Sequence, residues 1–411
     1  MDAEPLDFRS NPIKIVVFGG AGSTGSTLIQ MAQNAESISE IVCADRDLSK
    51  TDVFTEWADW SKVSLWPIDF NIINEKQINA LRGTSLVVNA ATFVNRANIK
   101  IMKIAQRIGA NYVGLGSEND EFPPEELSFH ENFKKQHCIG MFNWGVGPGL
   151  TNLMARHLTE GLENCLIRIF VCEQTDTKEK DLFLWNIRSA LNEATSPVPR
   201  FFERGNGNLE LKQAFSEPEP YIFPGIGRVT CYLANENEGV TLSTLRNVWR
   251  VQTKVGGSDV ERLLLCIKSL KRILKLLPSN SPPSLADKKI KEFLSTLRQI
   301  PSPTEIIKLI AKGRLKESTV ALAVEVRGQN PDTEEEIFRR ANWVTPGLKK
   351  VQEKFPGKTP LQVATAFMAF RAIDRMYYSK SILPGVWPPE KLSKEDRDII
   401  LTKAENILIC P

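Results

Sequence analysis

The stretch Gly20-Ala21-Gly22-Ser23-Thr24-Gly25 constrains this chain more than any other. It follows Ile13–Phe18, a run rich in β-branched residues, and opens a helix-like segment from Ser23 to Ala35. A strand that passes into a helix through G-x-G-x-x-G divides the physical work among its residues. Gly20 permits the tight turn and Gly22 lets an anionic ligand approach the backbone. Gly25 lets the helix pack closely on the strand, and the N–H groups of Ser23 and Thr24 at the helix start face phosphate oxygens. An acid, Asp45, stands 20 residues beyond Gly25, at the end of a second apolar run Ile41-Val42-Cys43-Ala44. There it is placed to accept both hydroxyls of an adenosine ribose. These three features in register predict a dinucleotide site; the competing reading is a purely structural glycine turn.

Two other nucleotide readings fail on single residues. A P-loop needs Lys after the last glycine, where this chain has Ser26, and no tyrosine has a lysine four residues on, as a Tyr-x-x-x-Lys dehydrogenase requires. The charge of Asp45 repels a 2′-phosphate and favours NAD, while the adjacent Arg46 is able to hold that phosphate, so NADP stays open. Asp69 follows the third apolar run, Val63–Trp66. Asn89-Ala90-Ala91-Thr92 follows the fourth, which begins at Leu86. Both segments are expected to line the same crevice, or to act as simple caps and turns.

Further short apolar runs at Tyr112–Leu115 and Ile139–Phe142 alternate with helical patterns such as Asn95–Ile108. This rhythm implies βαβ units with right-handed crossovers. The expected fold class is α/β: an N-terminal Rossmann-like doubly wound parallel sheet over residues 1–160. An α+β second domain follows over 161–345, with a basic helical insertion at 258–316. C-terminal helices in 346–411 return to the first domain. In the second domain Cys165–Cys172, Arg228–Ala234, Asn247–Lys254 and Ser318–Val326 have strand composition without a βαβ rhythm. The closing helices, Pro360–Tyr377 and Ser393–Leu408, are joined by a proline-rich segment, 383–390.

Composition narrows the classes. Apolar residues make up 42% and charged residues 25%, an ordinary globular balance, and the net charge of +3 gives no global argument for nucleic acid. No apolar run reaches the ~18–20 residues of a membrane span. The opening Met1-Asp2-Ala3-Glu4-Pro5 has neither the basic nor the apolar region of a secretory signal, so the expected compartment is the cytoplasm. Seven scattered cysteines without C-x-x-C read as reduced thiols, and with only three histidines no metal centre is expected.

From the fourth apolar run onward the sequence resembles the saccharopine dehydrogenase-like family, which includes saccharopine reductases, lysine 6-dehydrogenases and carboxynorspermidine-type enzymes. The stretches that carry the resemblance are Leu86-Val87-Val88-Asn89-Ala90-Ala91, Gly109-Ala110-Asn111-Tyr112-Val113 and Gly145-Val146-Gly147-Pro148-Gly149-Leu150-Thr151-Asn152-Leu153. Further on come Gln213–Glu219, Phe223-Pro224, Ile226-Gly227-Arg228 and the closing Ile382–Glu390. The resemblance implies an NAD(P)-dependent oxidoreductase that moves a hydride between nicotinamide and a C–N carbon of an amino acid or polyamine-like amine or imine. A reductase of another carbonyl or enoyl group on this scaffold is the alternative, as is a non-catalytic dinucleotide-binding protein at membranes. Saccharopine reductases carry an acid before the Pro-Gly and Asp-His after it, where this chain has Gly147, Thr151 and Asn152, and an acid where it has Gly114. Partners for a multiply charged aminoadipate-type substrate are therefore missing.

Oxidation of an amine needs its nitrogen deprotonated. Glu118, just past the fifth run in Gly114-Leu115-Gly116-Ser117-Glu118-Asn119, is the candidate catalytic base; the plain alternative is a turn capped by Asn119 and Asp120. Asn119, Gly147, Pro148, Gly149, Thr151, Asn152 and Arg200 are candidate substrate-binding residues, with Lys212 as a further cation. The Gly147–Gly149 turn at a helix start suits a substrate carboxylate and equally suits a hinge. His157 is expected to face the core, and His130 and His137 to be solvated.

Residues 262–316 hold 13 Lys/Arg against Asp287, Glu292 and Glu305. In Arg262–Leu277, Leu263, Ile267, Leu270, Ile273, Leu274 and Leu277 share one helical face, while Lys268, Lys271, Arg272 and Lys275 take much of the other. Such a helix either lies on an anionic membrane, a peripheral contact through 262–277, or packs with a solvated basic side. The expected partners are otherwise a small-molecule substrate and a second copy in a homodimer, with no nucleic acid.

Overall fold

The computed structural model describes residues 11–91, 96–116, 123–179, 182–184, 197–201, 209–234, 237–275, 285, 288, 289, 292, 293 and 301–408. The N-terminal part is the expected alternation of strands and helices. β1 (Ile13–Phe18), β2 (Ile38–Asp45), β3 (Val63–Pro67), β4 (Leu86–Asn89), β5 (Asn111–Gly114) and β6 (Ile139–Met141) interleave with α1 (Ser23–Ala32), α2 (Glu75–Ala80), α3 (Ala97–Ile108) and α4 (His130–Lys135). The central strands β1, β4, β5 and β6 are buried on both faces; Ile15, Val16, Val17, Val87 and Val88 have no solvent exposure. That burial is why they read as continuous apolar runs. α3 buries Ile99, Ile101, Met102, Ile104 and Ala105 and ends at Gly109, whose φ of 68° is the left-handed cap that glycine supplies freely.

α5 (Leu150–Leu158) leads into a second sheet. Its members are β7 (Glu163–Thr177), β10 (Glu219–Phe223), β11 (Gly227–Leu233), β12 (Val248–Gly256), β13 (Leu315–Gln329) and β14 (Glu336–Val344), in the order β10-β11-β12-β7-β13-β14. Only β12 and β7 run parallel, so the sheet is mixed. A separate hairpin is formed by β8 (Pro197–Phe201) and β9 (Leu209–Gln213). Around these strands lie α6 (Glu238–Leu242), α7 (Ser258–Lys275), α8 (Pro303–Ala311) and α9 (Leu348–Lys354). α7 buries Val260 and Leu263, half-buries Ile267, Leu270 and Ile273, and exposes Lys268, Arg272 and Lys275. Leu277 lies outside the described residues.

α10 (Pro360–Tyr378) begins with a capping box between Thr359 and Gln362 and has Pro360 in its first turn. It is apolar almost all round, and it packs on α1 from the first sheet and on β13 from the second. Phe367, Ala366, Ala369 and Ile373 join one continuous core with Ile15, Leu28, Leu153, Val324 and Val326. Burying a side chain the size of Phe367 contributes about 2–3 kcal/mol, so α10 is a principal link between the sheets. α11 (Lys394–Ala404) closes the described fold.

Three expectations are corrected. The proline-rich segment is not only a linker: Gly385–Trp387 forms β15, a parallel edge strand beside β6, with Gly385 opposite Ile139 and Trp387 opposite Met141. Pro384 and Pro388 bracket it, so no proline interrupts its ladder. His130 is not simply solvated: its Nδ1 lies 3.2 Å from both the N and the O of Val386, and its ring meets Trp387 edge-on. His157 does not face the core; it is half exposed, 3.3 Å from Asp398.

Candidate active site

The first sheet runs β15-β6-β5-β4-β1-β2-β3, so the chain reverses its direction of winding between β1 and β4. A crevice opens at the carboxyl ends of strands at such a switch point. The glycine-rich turn lies there. A Cβ at Gly19 would stand 2.6 Å from the Ala91 nitrogen, which shows how closely the turns after β1 and β4 approach. A Cβ at Gly20 would lie 2.8 Å from Cys43 Sγ, and one at Gly25 would overlap the Gly19 carbonyl. Gly22 differs. A methyl there meets a single protein atom, the Gly19 oxygen at 3.1 Å, so the side chain is missing mainly on the open side. Gly22 is also the N-cap of α1 and offers no side-chain cap; Gly22, Ser23 and Thr24 are half exposed while Gly25 to Ile29 are buried. The first amides of a helix have no intrahelical acceptor, and here those of Ser23 and Thr24 belong to half-exposed residues.

Asp45 ends β2 beside this turn. Ala21 N donates to its Oδ2 at 3.2 Å and Asp47 N to its Oδ1 at 3.2 Å, fixing the carboxylate while leaving lone pairs free on each oxygen. Burial raises its pKa against the lowering effect of those amides. Arg46 is exposed and close enough to Asp69 to help hold that acid below the usual range, after the larger effect of the Asn71 amide. The Asn71 backbone and side chain both donate to Asp69 Oδ1 at 2.8 Å, so Asp69 caps its own turn. An open helix start, a cradle that a Cβ would fill and a carboxylate at ribose distance in sequence fit a dinucleotide. The Ser23 and Thr24 amides would hold its pyrophosphate and Asp45 its ribose, with Arg46 at the 2′ position.

Asn89 is fully buried. Its amide donates to Asn98 and its oxygen accepts from Ala91 N at 3.0 Å, so the side chain shapes the β4 turn while half-exposed Ala90 and Ala91 present backbone to the crevice. Thr92, Glu118 and Asn119 lie outside the described residues. Arg200 sits on β8 opposite Glu210, in the hairpin of the second part, and its side chain is outside the described set.

The turn after β6 reaches the same edge of the sheet: Trp144 N donates to the Gly114 carbonyl at the end of β5. Gly145 N then donates to Pro148 O at 3.0 Å and Leu150 N to Gly145 O at 3.0 Å. Gly149 has φ of 135°, and a Cβ would overlap the Gly145 carbonyl, so glycine is required. Thr151 and Asn152 have no exposure. Asn152 Oδ1 accepts from Gly149 N at 2.9 Å, and its Nδ2 donates to Thr241 Oγ1 and Glu390 Oε2, both at 3.0 Å. Thr151 Oγ1 donates to Glu238 Oε1 at 2.7 Å. These bonds tie the turn to α6 and to the segment after β15.

Glu238 and Glu390, which sequence reading did not single out, are fully buried, and Glu238 Oε2 and Glu390 Oε1 have no hydrogen-bond partner among the described residues. Burial, reinforced by the charge of Glu390, pushes Glu238 up to about 7; burial also raises Glu390. Glu390 stood inside the closing motif, whereas nothing in the local pattern marked Glu238. Lys358 was also missed, though it directly precedes the Thr359-Pro360 helix-start signal.

The model of the saccharopine dehydrogenase NADP binding domain matches residues 15–141. Among solved structures, the fold is similar to a saccharopine dehydrogenase (L-Glu forming) from Saccharomyces cerevisiae, with TM-score 0.64 and 14% identity over 96% of this chain and 97% of that one. It is also similar to a homospermidine synthase from Legionella pneumophila in complex with NAD, with TM-score 0.66 and 14% identity over 97% of this chain and 90% of that one.

Proposed function

We propose that this chain, whose residues 15–141 match the saccharopine dehydrogenase NADP binding domain, is an NAD(P)-dependent oxidoreductase that oxidises or reduces a C–N bond of an amino acid or polyamine-like amine. The observation that carries this reading is the open helix start at the switch point, with Asp45 beside it. When bound, the nicotinamide supplies or accepts the hydride. The protein's own part is to orient the substrate carbon, exclude water and move one proton.

The backbone amides of Ser23 and Thr24 bind the phosphates, Gly22, whose own N–H donates to Gly19 O at 3.0 Å, leaves room for their approach, and Asp45 fixes the ribose. The Gly145–Asn152 turn forms the wall of the crevice beyond β5. Glu118, four residues beyond the end of β5 in sequence, takes the proton from the substrate nitrogen, freeing the lone pair that drives hydride departure. The names of the structural relatives, a saccharopine dehydrogenase and a homospermidine synthase, support an amine substrate class. The reading includes a cytoplasmic homodimer. It assigns any anionic-membrane contact to the exposed Lys268, Arg272 and Lys275 of α7.

The test is steady-state turnover with a panel of amino acids, polyamines and cyclic imines, followed by nicotinamide absorbance in both directions. Turnover confined to carbonyl or enoyl substrates overturns the C–N assignment. In Glu118→Gln, turnover is expected to fall by ~10²–10⁴ with cofactor affinity held; near-normal turnover removes Glu118 from the chemistry.

A further inference from the structure

Lys358 is one of the most deeply buried cations of the described chain, 2% exposed. It reaches α1 from the far end of the sequence: its Nζ lies 2.5 Å from Ser26 Oγ and 3.3 Å from the Ser23 carbonyl. Both acceptors belong to the first turn of the helix that follows the glycine-rich loop. Its backbone is held on both sides, Lys358 N donating to Phe355 O and Lys358 O accepting from Gln352 Nε2.

The elements around the ammonium supply no acid. α1 from Ser23 to Ala32 contains no charged residue, and neither does α10 from Pro360 to Phe370. Lys349, Lys350, Glu353 and Lys354 of α9 are exposed, as are Glu305 and Lys308 of α8, whose Pro303 lies against Gly357. Among the described residues, the ammonium is therefore met only by a hydroxyl and a carbonyl. It also stands at the positive end of the helix dipole, where a cation is disfavoured. Burial alone brings its pKa down to about 8. A protein gains nothing in stability from an unpaired cation so placed. A pyrophosphate on the Ser23 and Thr24 amides would put negative charge within about one helical turn of it, ~5 Å of rise.

We propose that Lys358 is an electrostatic positioning residue for the cofactor pyrophosphate, acting through the first turn of α1 and coupling cofactor binding to the seating of α10. This rests on the NAD(P) reading of the glycine-rich turn. The ammonium lacks a counter-ion in the free protein and acquires one when the dinucleotide binds. Binding then raises the affinity of Lys358 for its proton, and NADH binding near pH 8 takes up a proton.

The experiment is calorimetric titration of the full chain with NADH at pH 7 and pH 8, in pairs of buffers with different ionisation enthalpies. NADH is used because it lacks the titrating 2′-phosphate. Uptake of about half a proton is expected at pH 8 and far less at pH 7, with affinity falling as pH rises through 8. Lys358→Arg keeps the charge and does not titrate: affinity persists and the pH 8 uptake vanishes. Lys358→Met, checked for folding by its melting transition, binds NADH about tenfold more weakly without uptake. Should the methionine variant not fold, the arginine variant alone decides. No uptake in the parent, or equal uptake in the arginine variant, overturns the inference while leaving the cofactor site intact. Absence of NADH and NADPH binding in the parent overturns the cofactor reading itself.

Discussion

Two glycine turns sit at the carboxyl edge of the first sheet, and each opens a helix. They solve the same backbone problem in opposite ways. At Gly20–Gly25 the amides at the start of α1 are left to the crevice, and Gly22 has no capping side chain. At Gly145–Asn152 the start of α5 is filled by the protein itself, because the Asn152 carboxamide accepts from Gly149 N and carboxylates from two distant segments close over it. A helix N-terminus is an anion site only while its donors are free. The difference separates a turn whose helix start is open from a turn whose helix start is filled, even though both read as glycine-rich in sequence.

The comparison is broken most severely at Gly149. Alanine there combines a φ of 135° with overlap on the Gly145 carbonyl. Gly149→Ala is expected to destabilise the fold by about 3 kcal/mol or more, read as a lower denaturant midpoint. Gly22→Ala, with one near contact, should leave that midpoint close to the parent and weaken NAD(P) binding instead. Equal loss of stability in both variants would erase the distinction.

Next in size is Asp45. Two charge-assisted hydrogen bonds to a ribose contribute ~1.5–3 kcal/mol after desolvation. Asp45→Ala is therefore expected to weaken NAD about ten- to a hundredfold, with a smaller effect on NADP, whose phosphate has Arg46 available. Unchanged NAD affinity in calorimetry would remove Asp45 from the site.

A third measurement tests the filled turn through pH. The folded-state pKa of Glu238 is raised from its ordinary 4.5 to about 7, so the fold binds this proton more tightly than the unfolded chain does. Its contribution is complete below about pH 4.5 and is lost as pH rises through 7. Glu238→Gln keeps the acceptor for Thr151 and removes the titration. The variant should match the parent near pH 4.5 and exceed its stability increasingly as pH rises through 7 to 8, measured by urea unfolding. A constant difference across that range would mean Glu238 is ionised throughout.

The β1–α1–β2 unit was legible because its demands are local. Gly20, Gly22, Gly25 and Asp45 each answer to a neighbour within one supersecondary unit, and the β-branched strands are buried on both faces. What stayed hidden depends on contacts between distant parts of the chain. Glu238 becomes notable only when Thr151 and Glu390 meet it, and Lys358 only when α10 lies against α1. β15 has three residues set among prolines, too few for a period-two pattern, and it is a strand because β6 offers it an edge. At Thr151 and Asn152 the sequence shows a helix start, while the partners of their side chains, Glu238, Thr241 and Glu390, lie far along the chain.

That late strand has a consequence for how the molecule is made. β6 emerges from the ribosome roughly 240 residues before Gly385–Trp387, which at ~5–20 residues per second is about 12–50 s of synthesis. Through that interval the first sheet carries a bare edge with unpaired N–H and C=O groups, the template on which nascent chains stick to one another. Fragments ending after α5 should therefore precipitate where the full chain does not, and in the cell this stretch of the nascent chain is where a holdase chaperone has most to protect.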